Sequence, residues 1–168
     1  GNVTTVSGFA KTPTMLTGQV AFGDLAGNGE QNIVVSTWDD LYRDKNAVRC
    51  YSPFDKDGDH KPDLLWEKKI PYSMFQSPVI ANLDGSSDGT MEVIIKSHQT
   101  SDIFILDHNG NELRRLNPNV ADENDHNYSA LTVADLDNDG QMEIIASYDS
   151  LGIYIWRQDG TPFTTNPF

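Results

Sequence analysis

The sequence predicts an all-β protein, built from about three four-stranded antiparallel units of the β-propeller blade type. A self-comparison of the 168 residues finds one pattern three times, with Leu25, Leu83 and Leu136 at equivalent places. The period of roughly 55 residues is long enough for four strands and their turns. No segment has a sustained helical periodicity. Four-stranded units whose faces must be covered by the next unit are typical of propeller blades.

Each copy begins with two short apolar segments that flank a polar loop, and we interpret them as the first and second strands. These segments are residues 20–25 and 33–36, 79–84 and 93–97, and 131–134 and 144–147. The third strands are expected at 48–51, 103–106 and 153–156. The last two are apolar at successive positions, so we expect both of their faces to be covered. Fourth strands are expected at 64–66, 112–116 and, more weakly, 161–163.

The loop of the third copy has the spacing of a calcium site. Oxygen-bearing side chains stand at its positions one, three, five and nine, and Gly140 at position six permits the reversal of the chain. Calcium takes six to eight oxygen ligands and tolerates irregular geometry. The expected ligands are the side chains of Asp135, Asp137, Asp139 and Glu143 and the carbonyl of Gln141.

The equivalent loops of the other two copies depart from this pattern. In the second copy the expected ligands are Asn82, Asp84, Asp88 and Glu92, with assistance from Ser86. In the first copy Asp24 is followed by Ala26, Asn28 and Asn32, so one ligand is missing. We expect hydrogen bonds across that loop to replace the ion.

A further acidic loop stands between the third and fourth strands of the first copy. Its carboxylates again occupy positions one, three, five and nine, at Asp55, Asp57, Asp59 and Asp63. Charges about 4 Å apart repel by roughly 4 kcal/mol at an effective dielectric near 20, so we expect this loop to need a cation for order. It resembles the calcium loops of thrombospondin type 3 repeats, except that His60 replaces the usual glycine. In all, we expect two to three calcium ions.

The segment Phe22-Gly23-Asp24-Leu25 and the loop 135–143 resemble FG-GAP/VCBS repeats. These repeats build the calcium-binding propellers of integrin α-subunits and of secreted bacterial proteins, including rhamnogalacturonan lyases. The resemblance begins near residue 17 and implies blades at about 17–72, 73–120 and 121–168. Residues 1–16 then form an N-terminal segment that could supply a strand to a neighbouring blade.

The composition limits the partners and the location. A formal charge of −13 argues against nucleic acid and anionic membranes. No stretch is long enough for a membrane-spanning helix and no signal peptide is visible, although a chain that begins with Gly could have lost one. Cys50 is the single cysteine, so no intrachain disulfide can form. Weak calcium sites fill at extracellular calcium concentrations, which favours an extracellular or cell-surface location.

Few residues suggest catalysis. Lys96 and His98 could form an acid/base pair, but at a strand exit we expect them to lie on a solvated edge. Trp66 and Trp156 are expected in the core between blades, whereas the exposure of Trp38 stays open. No catalytic residue is therefore assigned, and the sequence favours a module without enzymatic activity.

The sequence thus predicts a calcium-binding repeat module in which calcium is structural and the loops bind a glycan or an extracellular protein. The alternative is the propeller portion of a polysaccharide lyase similar to rhamnogalacturonan lyases, with calcium near its active site. Closed propellers typically have four to eight blades, and three are legible here. The remaining blades would come from a longer chain, from a second chain or from copies of this chain.

Overall fold

The computed structural model describes residues 15–16, 20–38, 46–70, 76–98, 100–118, 129–148 and 152–164. These residues form strands and no helix, which confirms the all-β class. The strands are β1 (Met15–Leu16), β2 (Ala21–Gly23), β3 (Asn32–Trp38), β4 (Ala47–Tyr51), β5 (Leu64–Lys69), β6 (Val79–Ala81), β7 (Glu92–Lys96), β8 (Ile103–Leu106), β9 (Glu112–Leu116), β10 (Leu131–Ala134), β11 (Glu143–Tyr148) and β12 (Gly152–Trp156). No described helix is long and apolar enough to cross a membrane.

The strands form three antiparallel sheets that follow one another along the chain. The first sheet has the order β1-β3-β4-β5, with β2 also paired to β3, the second has the order β6-β7-β8-β9, and the third has the order β10-β11-β12. Strands β1 and β2 pair with opposite ends of β3, because Met15 lies opposite Trp38 and Ala21 lies opposite Val34. The described part of the N-terminal segment therefore pairs within the first sheet, and the blade boundaries stay predictions.

The expected fourth strand of the third copy is reduced to a single bridge. Pro162 pairs with Trp156, and the backbone N–H of Phe163 donates to the carbonyl of Ile155 at 2.9 Å. Proline has no N–H to continue a ladder, so one bridge is what this segment can form. The third sheet thus has three strands in the described residues.

Two apolar clusters hold the three sheets together face to face. The first cluster lies between the first and second sheets and contains Leu25, Val34, Val48, Cys50, Ile70, Val93, Ile95, Phe104 and Leu106. The second lies between the second and third sheets and contains Leu83, Ile94, Ile103, Ile105, Leu116, Leu131, Ile144, Ala146, Tyr148, Tyr154 and Trp156. Trp66 packs on the first cluster and Trp156 belongs to the second, so the core predictions for both tryptophans are confirmed.

From the sequence we expect both faces to be covered in the third strands of the second and third copies, which are β8 and β12. This holds for β8 only. All four residues of β8 are buried, because the second sheet lies between the other two. In β12 the prediction is wrong, since Ile153 is 44% exposed. This side chain points away from the second sheet, where the described residues provide no further sheet.

The expected solvated edge at Lys96 and His98 is also wrong. Lys96 is fully buried and His98 is 5% exposed. The Lys96 ammonium reaches the third sheet, where it donates to the carbonyl of Ser147 at 2.8 Å and to the hydroxyl of Ser129 at 2.9 Å. It also lies 4.5 Å from the centre of the Tyr148 ring. A lysine at the end of an apolar strand is thus covered by the neighbouring sheet, which supplies its hydrogen-bond acceptors.

The same backbone contact occurs at both interfaces between sheets. The N–H of Met91 donates to the carbonyl of Leu25 at 3.0 Å, and the N–H of Met142 donates to the carbonyl of Leu83, also at 3.0 Å. In the first two copies, the repeat leucine is therefore bonded and covered by the residue that precedes the second strand of the next copy. This places the polar loops of successive copies side by side.

Candidate metal centre

The polar loops of the three copies lie at one end of the stacked sheets and touch through their backbones. A Cβ on Gly27 would be 2.7 Å from the carbonyl oxygen of Gly89, and a Cβ on Gly85 would be 2.5 Å from that of Gly140. Such separations are too short for any side chain at these two glycines. Gly27 and Gly85 also have φ of +65° and +66°, a conformation that glycine adopts without steric cost.

The loop of the third copy brings together three carboxylates. One oxygen each of Asp135, Asp137 and Glu143 lies within 4.8 Å of the others. Calcium binds oxygen at about 2.3–2.6 Å, so two ligands on opposite sides of one ion are separated by about 5 Å. Glu143 is only 1% exposed. The three positions therefore have the spacing of a shared cation.

Hydrogen bonds shape the same loop. The Asp135 carboxylate accepts from the N–H groups of Asp139 and Gly140 at 3.2 and 3.0 Å. Asp139 accepts from the N–H of Gln141 at 2.8 Å and is not one of the three converging carboxylates. The Gln141 side chain accepts a hydrogen bond from the Gln158 side chain at 2.9 Å. The ligand roles of Asp139 and of the Gln141 carbonyl thus stay predictions.

Position nine of the loop has a second role that the sequence did not suggest. The Glu143 carboxylate accepts from the N–H of Leu136 at 2.8 Å. Glu92 accepts in the same way from Leu83 at 2.8 Å, and the Asn32 amide oxygen accepts from Leu25 at 3.3 Å. This side chain therefore closes the loop in every copy, including the first, where the residue is uncharged.

The expected ligands of the second copy are held by local hydrogen bonds. The Asn82 amide accepts from the N–H of Ser86 and donates to its carbonyl, and Asp88 accepts from the hydroxyls of Ser86 and Thr90. Burial, and to a lesser degree the neighbouring carboxylates of Asp84 and Asp88, raise the pKa of Glu92. Asp84, Asp88 and Glu92 do not form a converging group of the kind seen in the third copy.

In the first copy the same loop shape is built with fewer charges. The Asp24 carboxylate accepts from the N–H groups of Asn28 and Gly29 at 3.0 and 2.6 Å, as Asp135 does with its equivalents. The hydrogen bonds expected across this loop are therefore present. Since they are shared with the third copy, the loops differ in the number of carboxylates and not in their fold.

The acidic loop 55–63 brings a second trio of carboxylates together. Oxygens of Asp55, Asp57 and Asp59 lie within 4.8 Å of one another, and all three residues are exposed. Asp55 accepts from the N–H groups of Gly58 and His60 at 2.6 and 2.8 Å. His60 has φ of +65°, so it takes the conformation for which the thrombospondin-like pattern has glycine.

The Asp63 carboxylate gives independent support for a cation in this loop. Its Oδ2 accepts from the N–H of Lys56 at 3.2 Å, which attaches the carboxylate to the loop. Its Oδ1 is buried and makes no hydrogen bond among the described residues. A buried carboxylate oxygen without a partner is costly, and a cation would satisfy it.

Two lysines and one glutamate, which the sequence analysis did not single out, form ion pairs at the acidic loop, and one of these pairs ties the loop to the rest of the sheet. Lys61 pairs with Asp59 at 2.6 Å and so competes with a cation for that carboxylate. Lys56 pairs with Glu30 at 2.6 Å, and the Ser52 hydroxyl donates to the same carboxylate at 2.7 Å. The hydrogen bonds from Lys56 and Ser52 lower the pKa of Glu30. In the sequence, Glu30 aligns with Gln141 of the third copy. This alignment does not indicate that Glu30 will contact Lys56 and Ser52.

Comparison with known proteins agrees with this description. Residues 83–146, which contain the loops of the second and third copies, match the FG-GAP-like repeat. A search of the curated proteins gave no match. Among solved structures, the V. cholerae biofilm matrix protein Bap1 is similar with a TM-score of 0.58 and 24% identity, over 86% of this chain and 23% of that chain.

A second similar structure is BBS1N in its complex with ARL6DN, with a TM-score of 0.59 and 12% identity over 89% of this chain and 42% of that chain. The chain thus spans less than half the length of either protein, and the likeness shows a shared fold. The match to the FG-GAP-like repeat is thus to residues 83–146, and the fold of the stacked sheets is the one that this chain shares with the two solved structures.

Proposed function

We propose that this chain is a calcium-binding repeat module of an extracellular or cell-surface protein, and that its calcium is structural. The observation that carries the proposal is the convergence of Asp135, Asp137 and Glu143 within 4.8 Å in the loop between β10 and β11. An ion there would link the ends of two strands. It would also offset the repulsion among carboxylates that the loop holds together.

The second site in the proposal is the acidic loop 55–63. The trio of Asp55, Asp57 and Asp59 and the unpartnered oxygen of Asp63 support it. Carboxylate oxygens in irregular positions suit calcium better than magnesium, which demands a near-ideal octahedron and keeps its water. The second-copy loop is the weakest site, because local hydrogen bonds already engage Asn82 and Asp88.

For the partner we propose a glycan or another extracellular protein, bound at the loop end of the sheets. Bap1, whose fold this chain shares, is a biofilm matrix protein, which supports an extracellular setting. A groove of about 320 Å³ opens between the first and second sheets at this end. Its lining includes Lys56, Trp66, His108 and Asn109, a mixture of charged, amide and aromatic groups that suits a polar ligand.

No described feature favours the alternative lyase function. A lyase base must reach its polymeric substrate, and the two candidate residues are buried. Lys96 donates hydrogen bonds to the third sheet, and His98 is 5% exposed. Their positions suit a structural role between the second and third sheets.

The test is calcium titration by calorimetry together with thermal unfolding of two aspartate variants. An ion at about 100 times its Kd adds about 2.7 kcal/mol to the free energy of unfolding. For a chain of this size that is a rise of about 5–10 °C in Tm. Asp137→Ala should lose much of this rise, while in excess chelator its Tm should stay close to that of the unmodified chain.

Asp24→Ala is the matched control, because it removes the first carboxylate of a loop that lacks the converging trio. Its effect on Tm should be similar with calcium and with chelator. A chain that shows no calcium heat, and the same Tm in both conditions, would overturn the proposal.

A further inference from the structure

Each interface between sheets opens into a groove at the loop end of the molecule. The first groove lies between the first and second sheets, has a volume of about 320 Å³, and is bordered by the polar loop of the first copy and the turn between β8 and β9. The second groove lies between the second and third sheets and is smaller, at about 230 Å³. The lining of the first groove extends from Ala26 to Asn109, so the groove lies between two sheets of this chain and not on an outer face.

The loop side of the two grooves is formed by equivalent residues of different charge. Ala26 in the first groove and Asp84 in the second each follow the repeat leucine directly. Asn32 and Glu92 occupy position nine of their loops, and each accepts a hydrogen bond from the N–H of that leucine. The loop of the first groove therefore offers a methyl group and an amide where the loop of the second offers two carboxylates.

The strand side differs in the same way. Trp66 lines the first groove and donates to the carbonyl of His108 in the turn of the next sheet. Arg114 lines the second groove and donates to the carbonyl of Gln158 in the equivalent turn. Leu65, which is 47% exposed, adds an aliphatic side chain to the first groove. An aromatic ring thus lines the first groove where a guanidinium group lines the second.

Asn32 has a donor group that the described residues leave unused. It lines the first groove and is 6% exposed, and its Oδ1 accepts from the N–H of Leu25 at 3.3 Å. Its amide NH2 makes no hydrogen bond with any residue that the structure describes. A nearly buried donor that meets only the groove favours a ligand with an oxygen acceptor at that point.

The other polar groups of the first groove provide both donors and acceptors. The Lys56 ammonium and the Glu30 carboxylate are paired at 2.6 Å, so these two charges of the lining compensate each other. The Asn28 oxygen accepts from the N–H of Glu30 at 2.9 Å, which leaves the Asn28 NH2 for a ligand. The Asn109 amide and the His108 ring are 2.9 Å apart.

We propose that the first groove binds one neutral sugar residue of a glycan. A sugar hydroxyl accepts from the Asn32 NH2 and donates to the Glu30 carboxylate, while the C–H face of the ring contacts Leu65 and Trp66. The proposal rests on the proposed function, in which a glycan or a protein binds at the loop end, and it names the glycan. The groove lies at the lower end of the roughly 300–1,000 Å³ of ligand pockets, which suits a small ligand.

The same groups disfavour charged ligands in this groove. A cation would meet the Lys56 ammonium and the donor side of the Asn32 amide. An anion would meet the Glu30 carboxylate and the field of a chain with a formal charge of −13. A hydroxyl group carries no charge and both donates and accepts, so it matches the mixed lining.

The test is NMR titration of the full chain with the methyl glycosides of glucose, galactose and mannose, in calcium and separately in chelator. Titration to about 50 mM is sufficient, because a single sugar ring is expected to bind with a Kd on the order of 1 mM. At least one glycoside should shift the side-chain NH2 signals of Asn32 and Asn28 and the indole N–H signal of Trp66, and these shifts should saturate. The methyl glycoside of the corresponding uronic acid should bind about tenfold more weakly, because its carboxylate is repelled by Glu30.

Three variants locate the ligand. Asn32→Asp replaces the NH2 by an oxygen and keeps the acceptor for Leu25, and it should weaken binding by about tenfold or more. Asn28→Asp makes the same change at an exposed position, so it keeps the test valid if the first variant does not fold by circular dichroism. Gln31→Glu is the matched control, since it adds the same charge at an exposed residue outside the groove and should leave the Kd within about twofold.

The absence of a saturable shift with all three glycosides would overturn the proposal. Binding that Asn32→Asp and Asn28→Asp leave unchanged would also overturn it, because the sugar would then lie elsewhere, and so would tighter binding of the uronic acid. Calcium calorimetry on the same sample separates this result from the proposed function. A chain that binds calcium but no glycoside keeps the calcium-binding module and loses the sugar site, and the reverse result does the opposite.

Discussion

The turn between β8 and β9 offers the sharpest test of how the sheets are joined. Gly110 lies in this turn with φ of +81°, and a Cβ there would be 2.7 Å from Cδ2 and Cε3 of Trp66 in the first sheet. The Trp66 indole N–H donates to the carbonyl of His108 in the same turn at 2.9 Å. Gly110→Ala therefore pushes a methyl group into the contact between the first and second sheets.

The cost can be worked out from three contributions. An alanine in the left-handed conformation costs about 1–2 kcal/mol. Overpacking against the Trp66 ring costs about 1–3 kcal/mol, and loss of the hydrogen bond to His108 about 1 kcal/mol. The control is Gly29→Ala, since Gly29 has φ of +86° and open space around its Cα, so that only the first contribution applies. The difference of about 2–4 kcal/mol corresponds to roughly 5–15 °C in Tm.

Thermal and urea unfolding of the two variants measures this difference. In a Trp66→Ala background the ring is absent, so adding Gly110→Ala should cost only the backbone contribution. Equal losses for Gly110→Ala and Gly29→Ala in the otherwise unmodified chain would refute the reasoning. They would show that the turn does not pack against Trp66 in solution.

Three further predictions concern separate parts of the molecule. Asp57→Ala should lower the Tm in calcium but not in excess chelator, which differential scanning calorimetry would detect. Cys50 is fully buried and burial raises the pKa of its thiol to about 12, so at pH 8 it should stay protonated and react with a thiol reagent only in urea. Leu83→Ala should cost about 2–5 kcal/mol in urea unfolding because it opens a cavity, whereas Leu136→Ala should cost less than about 1 kcal/mol.

The repeat could be predicted from sequence because its signals are local. A polar loop between two apolar segments recurs at Leu25, Leu83 and Leu136, and each of these loops does join two antiparallel strands. The convergence of Asp135, Asp137 and Glu143 also follows from spacing within one short loop. In such segments the chain itself brings the residues together, so the order along the sequence is enough.

Contacts between sheets could not be predicted in the same way. The sequence places Lys96 at a strand exit but does not indicate that the Ser147 carbonyl will meet its ammonium group, 51 residues further along. The bond of Lys56 to Glu30 depends likewise on how two loops of one sheet lie next to each other. The cap formed by Glu143 on Leu136 is local, yet a carboxylate at a ligand position gives no separate signal for that second role.

The two converging carboxylate trios lie on the sheets that have only one face packed against another described sheet. The second sheet is covered on both faces, and its loop is held by uncharged partners such as Asn82 and Ser86. The first and third sheets each pack on one described sheet only, and they carry the two converging carboxylate trios. A sheet with one buried face gains less from apolar burial, so an ion that joins its strands contributes a larger share of its stability. Proposed calcium binding would thus stabilise the two outer sheets.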